Sequence, residues 1–295
     1  MSTADATWPE ALAVGPDGGL WLEGCGLSAL AREHGTPAWV VSKATLERNF
    51  DALYGAFRGR YERCELAFSI KAHNTLAVIR VLADRGAKVD CSAEHEFELA
   101  LLAGVPPEDV ILNGNGKSAQ ALRRAAGLGV RQVNVDSLDE ALRLELVAAE
   151  LGVTVPCCVR IQLGYRRLLE QDPSFETTLR VGEGKFGTSV PSGEAMCTVE
   201  AVAAAEHLEL VGLSHHVGFS GYMGDYGPER EVMHHREATR EVCDFANEAR
   251  RALGVTIGRL DLGGGFRATG GVLLSTPGAG ADVAVHELPS PADYA

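Results

Sequence analysis

A single unit recurs along the sequence: a short β-type run, then an amphipathic helical pattern, then the next run. The runs are 64–70, 87–90, 109–113, 131–136, 155–161, 208–216 and 257–265. Between them lie segments such as 75–86, 94–105 and 118–130, with apolar residues at i, i+3, i+4 and i+7 and a glycine near the end. The first five runs follow one another at roughly 20 to 25 residues, the spacing of βα units in a parallel sheet. Each run ends on polar or glycine residues: Lys71, Asp90, Asn113, Asp136, Arg160, His216 and Gly263–Gly265. Polar groups spread over many strand ends are the signature of a (β/α)8 barrel, whose site lies at the C-terminal face. A doubly wound sheet concentrates its site at one switch point instead. The expected fold is therefore α/β, a TIM-type barrel with seven strands visible of eight.

The limits fall at 1–40 for a segment leading into the barrel, 41–267 for the barrel, and 268–295 for a tail rich in Gly, Ala and Pro. That tail reads as a loop, because its Pro and Gly positions break both periodicities.

Charge narrows the partners. The 27 Lys and Arg against 40 Asp and Glu give −13 at pH 7, which repels phosphate backbones and anionic lipid. Neither nucleic acid nor membrane is expected as a partner. The seven cysteines are scattered and form no CxxC pair, unlike a disulfide framework or a structural zinc site. With no apolar leader at the N-terminus and no run of transmembrane length, a reducing, cytoplasmic setting is expected.

Several familiar patterns lack their context. Gly182–Gly187 spells GxGxxG, but no tight strand leads into it and Pro191 soon follows. Gly116-Lys117-Ser118 resembles the end of a phosphate loop, but Ile111 stands where the first glycine belongs. His215-His216 and His234-His235 have no metal-ligand spacing, so no metal is expected.

Two elements carry chemistry. Lys71 directly follows the run 66–70, where entry into a barrel mouth would partly desolvate it and favour a neutral amine able to form a Schiff base. A solvated lysine opening a loop is the competing reading. Gly263-Gly264-Gly265 after an apolar strand could turn consecutive N–H groups onto one anion, or could simply make a tight turn. A Schiff-base lysine and a phosphate nest on one barrel face point together to pyridoxal 5′-phosphate.

The chain resembles the alanine-racemase-like barrel family of pyridoxal-phosphate enzymes, in the group of diaminopimelate, ornithine and arginine decarboxylases. The resemblance is carried in order by GTPAWVVSKATLERNF, AFSIKAHNTLAVIRVL, VDCSAEHEFELALLAGVPPEDVILNGNGKS, VNVDSLDEAL, GKFG, VGLSHHVG and LDLGGGF. Asn113–Ser118 resembles the diaminopimelate branch more than the ornithine branch. The resemblance implies that Lys71 holds the cofactor as an internal aldimine and that His216 stacks on its ring. It also implies that Gly263, Gly264 and Gly265 form the phosphate loop, that Arg160 lies near the ring, and that Asp90 and Glu96 orient the site. The implied reaction is loss of CO2 from the Cα of an amino acid, on a small-molecule substrate, with a homodimer as the oligomeric state the family uses.

Three departures qualify that picture. The family reads Lys-Ala-Asn where this chain has Lys71-Ala72-His73. Phe219 intervenes before Ser220, the candidate side-chain contact to phosphate, so either residue could occupy that position. The family's eighth strand, with Glu-x-Gly-Arg, and its C-terminal β-domain have no counterpart in the sequence. Racemisation, decarboxylation of a carrier-tethered amino acid, or a non-catalytic or partner-completed subunit are the alternatives on this scaffold.

Overall fold

The computed structural model describes residues 11–180, 185–218, 228–266, 273–274, 285–286 and 289–295. The chain divides into two compact units, at residues 1–64 and 65–295.

In the first unit, Leu12–Val14, Leu20–Leu22 and Cys25–Gly26 form an antiparallel three-stranded sheet. Its first turn is closed by Asp17, which accepts from the Trp21 indole N–H at 2.8 Å and from the Gly19 N–H at 3.1 Å. Helices Leu27–His34 and Lys43–Arg60 follow. Ser42 caps the second, accepting from the Thr45 N–H at 3.0 Å and so satisfying one of the unpaired donors of its first turn.

The second unit contains, among the described residues, a curled half-barrel of seven parallel strands, β1 Ala67–Ser69, β2 Lys88–Cys91, β3 Val110–Leu112, β4 Gln132–Val135, β5 Val155–Gln162, β6 Leu208–His216 and β7 Arg259–Gly263, and the short strand Thr188–Ser189 adds an eighth that pairs parallel with the end of β5. The seven pair in strict chain order. Crossover helices α1 Leu76–Asp84, α2 Glu94–Leu102, α3 Ala119–Leu128, α4 Leu138–Leu151, α5 Glu194–Ala204 and α6 Pro228–Leu253 connect them. The alternation read from the sequence is thus the alternation of the fold.

Local chemistry explains the crossovers. Ser118 and Ser137 cap α3 and α4 through the N–H groups of Ala121 and Glu140. Gly129 and Gly152 end those helices at φ 69° and 65°, where a side chain would be strained. The apolar face of α3, Ala121, Leu122, Ala125 and Ala126, is buried against the sheet. Val133 and Val135 of β4 join that same core, together with Ile79, Phe97 and Leu144. Each large side chain so buried contributes about 1.5–3 kcal/mol.

The other face of the sheet is polar. Gln132 and Asn134 of β4 are fully buried, and their side-chain amides donate to Asp261 Oδ2 of β7 at 3.1 and 2.7 Å. Asn134 also donates to Ser214 Oγ of β6 at 3.1 Å. A hydrogen-bonded layer therefore ties β4, β6 and β7 across the barrel interior, two residues below the strand ends of β6 and β7.

The region expected to be a loop after Phe266 includes local order. Leu273–Leu274 pairs antiparallel with Val285–His286. Pro291–Tyr294 forms a helical turn because Ser290 and Asp293 make a reciprocal capping box with Pro291 in its first turn. Among the described residues no helix is long and apolar enough to cross a membrane.

Candidate active site

The strand ends of β1, β2, β5, β6 and β7 carry the predicted site residues. Asp90 of β2 accepts from Ser69 Oγ of β1 at 2.8 Å and from Asn113 Nδ2, just past β3, at 3.1 Å. Arg160 of β5 is buried, with its guanidinium 3.3 Å from Asn113 Oδ1, 3.7 Å from Asp136 Oδ1, and 4.7 Å from the centre of the Phe186 ring. Burial pulls the Arg160 pKa down, against the opposing charges of Asp136, Asp90 and Asp261. An arginine nevertheless keeps its proton in proteins, so a fixed cation sits at this mouth.

The Lys185-Phe186-Gly187 stretch of the GKFG motif explains how Arg160 is held. Gly187 donates its N–H to Asp136 Oδ1 at 3.0 Å, and its φ is 73°. A Cβ there would fall 2.8 Å from the Arg160 carbonyl oxygen, so the close approach requires glycine. Phe186 can then lie over the guanidinium, a cation–π contact.

His216 ends β6. Its Nδ1 accepts from the Gly218 N–H at 2.9 Å, which leaves the proton of the neutral ring on Nε2. Burial, then the neighbouring Lys71 and Arg160 charges, hold its pKa down to about 4, so the ring is neutral at pH 7. His215 points to the opposite side of the strand. Its Nδ1–H donates to the Ile161 carbonyl at 3.0 Å, and its Nε2 accepts from the Tyr165 hydroxyl at 2.9 Å. This pair latches the end of β6 to the end of β5.

The glycine loop follows β7. Gly263 pairs with His216 across the β6–β7 ladder, and its carbonyl accepts from the Val217 N–H at 2.9 Å. Gly264 and Gly265 have φ of 81° and 74°. A Cβ on Gly264 would lie 2.1 Å from His216 Cε1, so only glycine lets the loop reach the imidazole.

Lys71 occupies a 3-10 turn, Ile70–Ala72, immediately beyond β1, and it is exposed. The partial desolvation expected at a barrel mouth is therefore not supplied by the described residues, because the turn carries the side chain past the strand end. Glu96 is buried in α2 and accepts from the Ser92 N–H at 2.6 Å, so it braces the turn after β2. Ser220 and Phe219 lie outside the described residues. Among those described, no cluster of three His, Cys, Asp or Glu could hold a metal ion.

Two groups were not singled out by sequence as site residues. Asn113 bridges Asp90 and Arg160. Lys117 and Glu140 form a buried pair, Nζ to Oε1 2.6 Å, in which Nζ also donates to the Gly114 carbonyl at 2.5 Å. Burial pulls Lys117 down and lifts Glu140, each partly offset by the other. Both Asn113 and Lys117 stand in the Asn113–Ser118 motif, which was the available signal.

The residues present fit pyridoxal phosphate: an amine at the end of β1, a neutral imidazole at the end of β6, and a side-chain-free backbone loop at the end of β7. This arrangement defines a class, the barrels that hold that cofactor at their strand ends. Comparison with known proteins narrows it. Residues 44–272 match the family described as "Pyridoxal-dependent decarboxylase, pyridoxal binding domain", and the chain belongs to that family. It is 37% identical over 202 residues to the diaminopimelate decarboxylase of Pseudomonas aeruginosa, covering 68% of this chain and 47% of that protein. It is 30% identical over 254 residues to the diaminopimelate decarboxylase of Methanocaldococcus jannaschii, covering 85% and 55%. The crystal structure of the M. jannaschii diaminopimelate decarboxylase in co-complex with L-lysine superposes with a TM-score of 0.78 at 26% identity, over 97% of this chain and 61% of that one. The chain spans about half the length of the curated relatives it matches.

Proposed function

We propose that this chain is the cofactor-holding barrel of a pyridoxal-phosphate-dependent amino-acid decarboxylase, with a diaminopimelate-like α-amino acid as substrate. The observation that carries the reading is the seating of His216 against Gly264, with the Lys71 ammonium close enough to bias the imidazole toward its neutral form. When bound, the cofactor supplies an electron sink for the pair left behind as CO2 departs from Cα.

In this reading, Lys71 offers its amine to the cofactor aldehyde. The neutral His216 ring presents a flat, uncharged face for stacking. Backbone N–H groups of the Gly263–Gly265 loop bind phosphate, which no side chain at these positions obstructs. Arg160, fixed by Asn113, Asp136 and Phe186, supplies a positive field at the mouth. Asp90, held by Ser69 and Asn113, faces it with the opposite sign. The substrate class follows from the diaminopimelate decarboxylases among the relatives, one of which was crystallised with L-lysine.

The test is release of CO2 from carboxyl-labelled diaminopimelate, lysine, ornithine and arginine by the full chain with pyridoxal phosphate, with Lys71→Ala as control. Release that requires Lys71 supports the reading. Loss of optical activity without CO2 release points to racemisation on the same scaffold and overturns it.

A further inference from the structure

Asn113 touches both charged residues of the site. Its Nδ2 donates to Asp90 Oδ1 at 3.1 Å, while its Oδ1 accepts from Arg160 Nη1 at 3.3 Å and from the Gly114 N–H at 2.9 Å. The amide can serve both neighbours in one orientation only, because a carboxylate cannot donate and a guanidinium cannot accept.

The turn behind it is held on every side. The Asn113 N–H donates to the Cys91 carbonyl at 2.7 Å, which continues the β2–β3 ladder by one residue. Gly114 has φ of 95°, and a Cβ on it would fall 2.3 Å from the Ser92 carbonyl oxygen, so the turn presses directly on the end of β2. Lys117 donates to the Gly114 carbonyl while paired to Glu140 of α4, and these two residues are 7% and 2% exposed. A buried pair of this kind costs desolvation and is weak evidence for stability; here it ties the Gly114 carbonyl to α4 through one ammonium.

We infer that Asn113 is a positioning residue of the cofactor site, whose amide sets the spacing and polarity of Asp90 against Arg160 while the Lys117–Glu140 pair holds the turn that carries it. The inference rests on the cofactor reading above.

The one-way polarity of the Asn113 amide makes its role testable by charge. In Asn113→Asp, the new carboxyl still accepts from Arg160 but meets Asp90 at hydrogen-bond distance, and two such carboxyls share one proton. The shared proton restores the donor toward Asp90, and its loss puts two like charges together. Arg160 from β5 favours the fully ionised pair, as does Lys117 from the turn, whose charge is offset by its partner Glu140 of α4; Asp136 from the end of β4, Asp261 from β7 and Glu96 from α2 oppose it.

The experiment is pyridoxal phosphate affinity, read by absorbance titration and by borohydride trapping on Lys71, for wild type, Asn113→Asp and Asn113→Leu from about pH 5.5 to about pH 8.5, the range that spans a shared proton. Asn113→Asp is expected to bind within about threefold of wild type at the acid end and at least about tenfold more weakly at the alkaline end. Asn113→Leu, of similar size but without polar atoms, is expected to bind about tenfold more weakly at every pH. Circular dichroism at each pH checks that the variants are folded; where Asn113→Asp is not, Asn113→Leu decides. A flat ratio for a folded Asn113→Asp, or wild-type affinity for Asn113→Leu, overturns the role of Asn113. Wild type that fails to trap the cofactor on Lys71 overturns instead the cofactor reading itself.

Discussion

The imidazole of His216 and the backbone of Gly264 approach so closely that a Cβ on Gly264 would fall 2.1 Å from the ring. The ring position and the loop position are thus one geometric unit. Gly264→Ala, which also places a side chain at φ 81°, is expected to displace the ring or the loop. The strain alone is about 1–2 kcal/mol. Pyridoxal phosphate affinity should fall at least about tenfold on that scale, as measured by titration of the folded variant. Unchanged affinity would contradict the role of this contact.

The pair Lys117–Glu140 predicts an asymmetry between single and double substitutions. Lys117→Met leaves a buried carboxyl and an unpaired Gly114 carbonyl, and should destabilise by about 3–5 kcal/mol in urea denaturation. Glu140→Leu combined with Lys117→Met removes both charges and should recover a large part of that loss. Additive losses would mean that the two side chains do not act together.

The buried histidines set a pH dependence. His215 and His234 are 3% and 2% exposed, and burial holds their pKa values down to about 4 and about 3. An unfolded histidine titrates near about 6.5, so below that pH the unfolded chain takes up protons that the native chain refuses. Stability contributed by these rings is therefore fully present above about pH 6.5 and declines as pH falls toward 4, by about 1–3 kcal/mol per histidine. Thermal denaturation between pH 7.5 and about pH 4.5 should show a falling Tm. A flat profile would contradict the buried, neutral assignment.

Tyr165→Phe tests the latch on β6. The substitution leaves His215 Nε2, in a ring that is already buried, without its donor at 2.9 Å. A loss of about 1–3 kcal/mol is expected, with the ring position of His216 disturbed as a consequence. Cofactor affinity in Tyr165→Phe should weaken less than in Gly264→Ala, because Tyr165 acts through the strand and does not touch the site.

Much of this was legible in the residues. The β-run and helix alternation is a local signal, and polar strand ends placed Asp90, Arg160, His216 and the glycine loop at one mouth. What was not legible depends on contacts between distant segments. Lys117 finds Glu140 across two elements, and Gln132 and Asn134 reach Asp261 across the barrel interior. In Gln132–Val135 every residue is buried, so alternation separates a polar interior from an apolar helix-facing side rather than core from solvent. Lys71 shows the same limit: its position followed from the run before it, but its exposure depends on a 3-10 turn that no periodicity announces.

In the proposed site the Lys71 amine, the His216 ring and the Gly263–Gly265 loop together hold pyridoxal phosphate. Borohydride reduction of the full chain in the presence of the cofactor, followed by peptide mass spectrometry, tests it most directly. The expected result is a pyridoxyl group on Lys71 alone, lost in Gly264→Ala at limiting cofactor. Label absent, or spread over surface lysines with Lys71 no more reactive than the others, would contradict it.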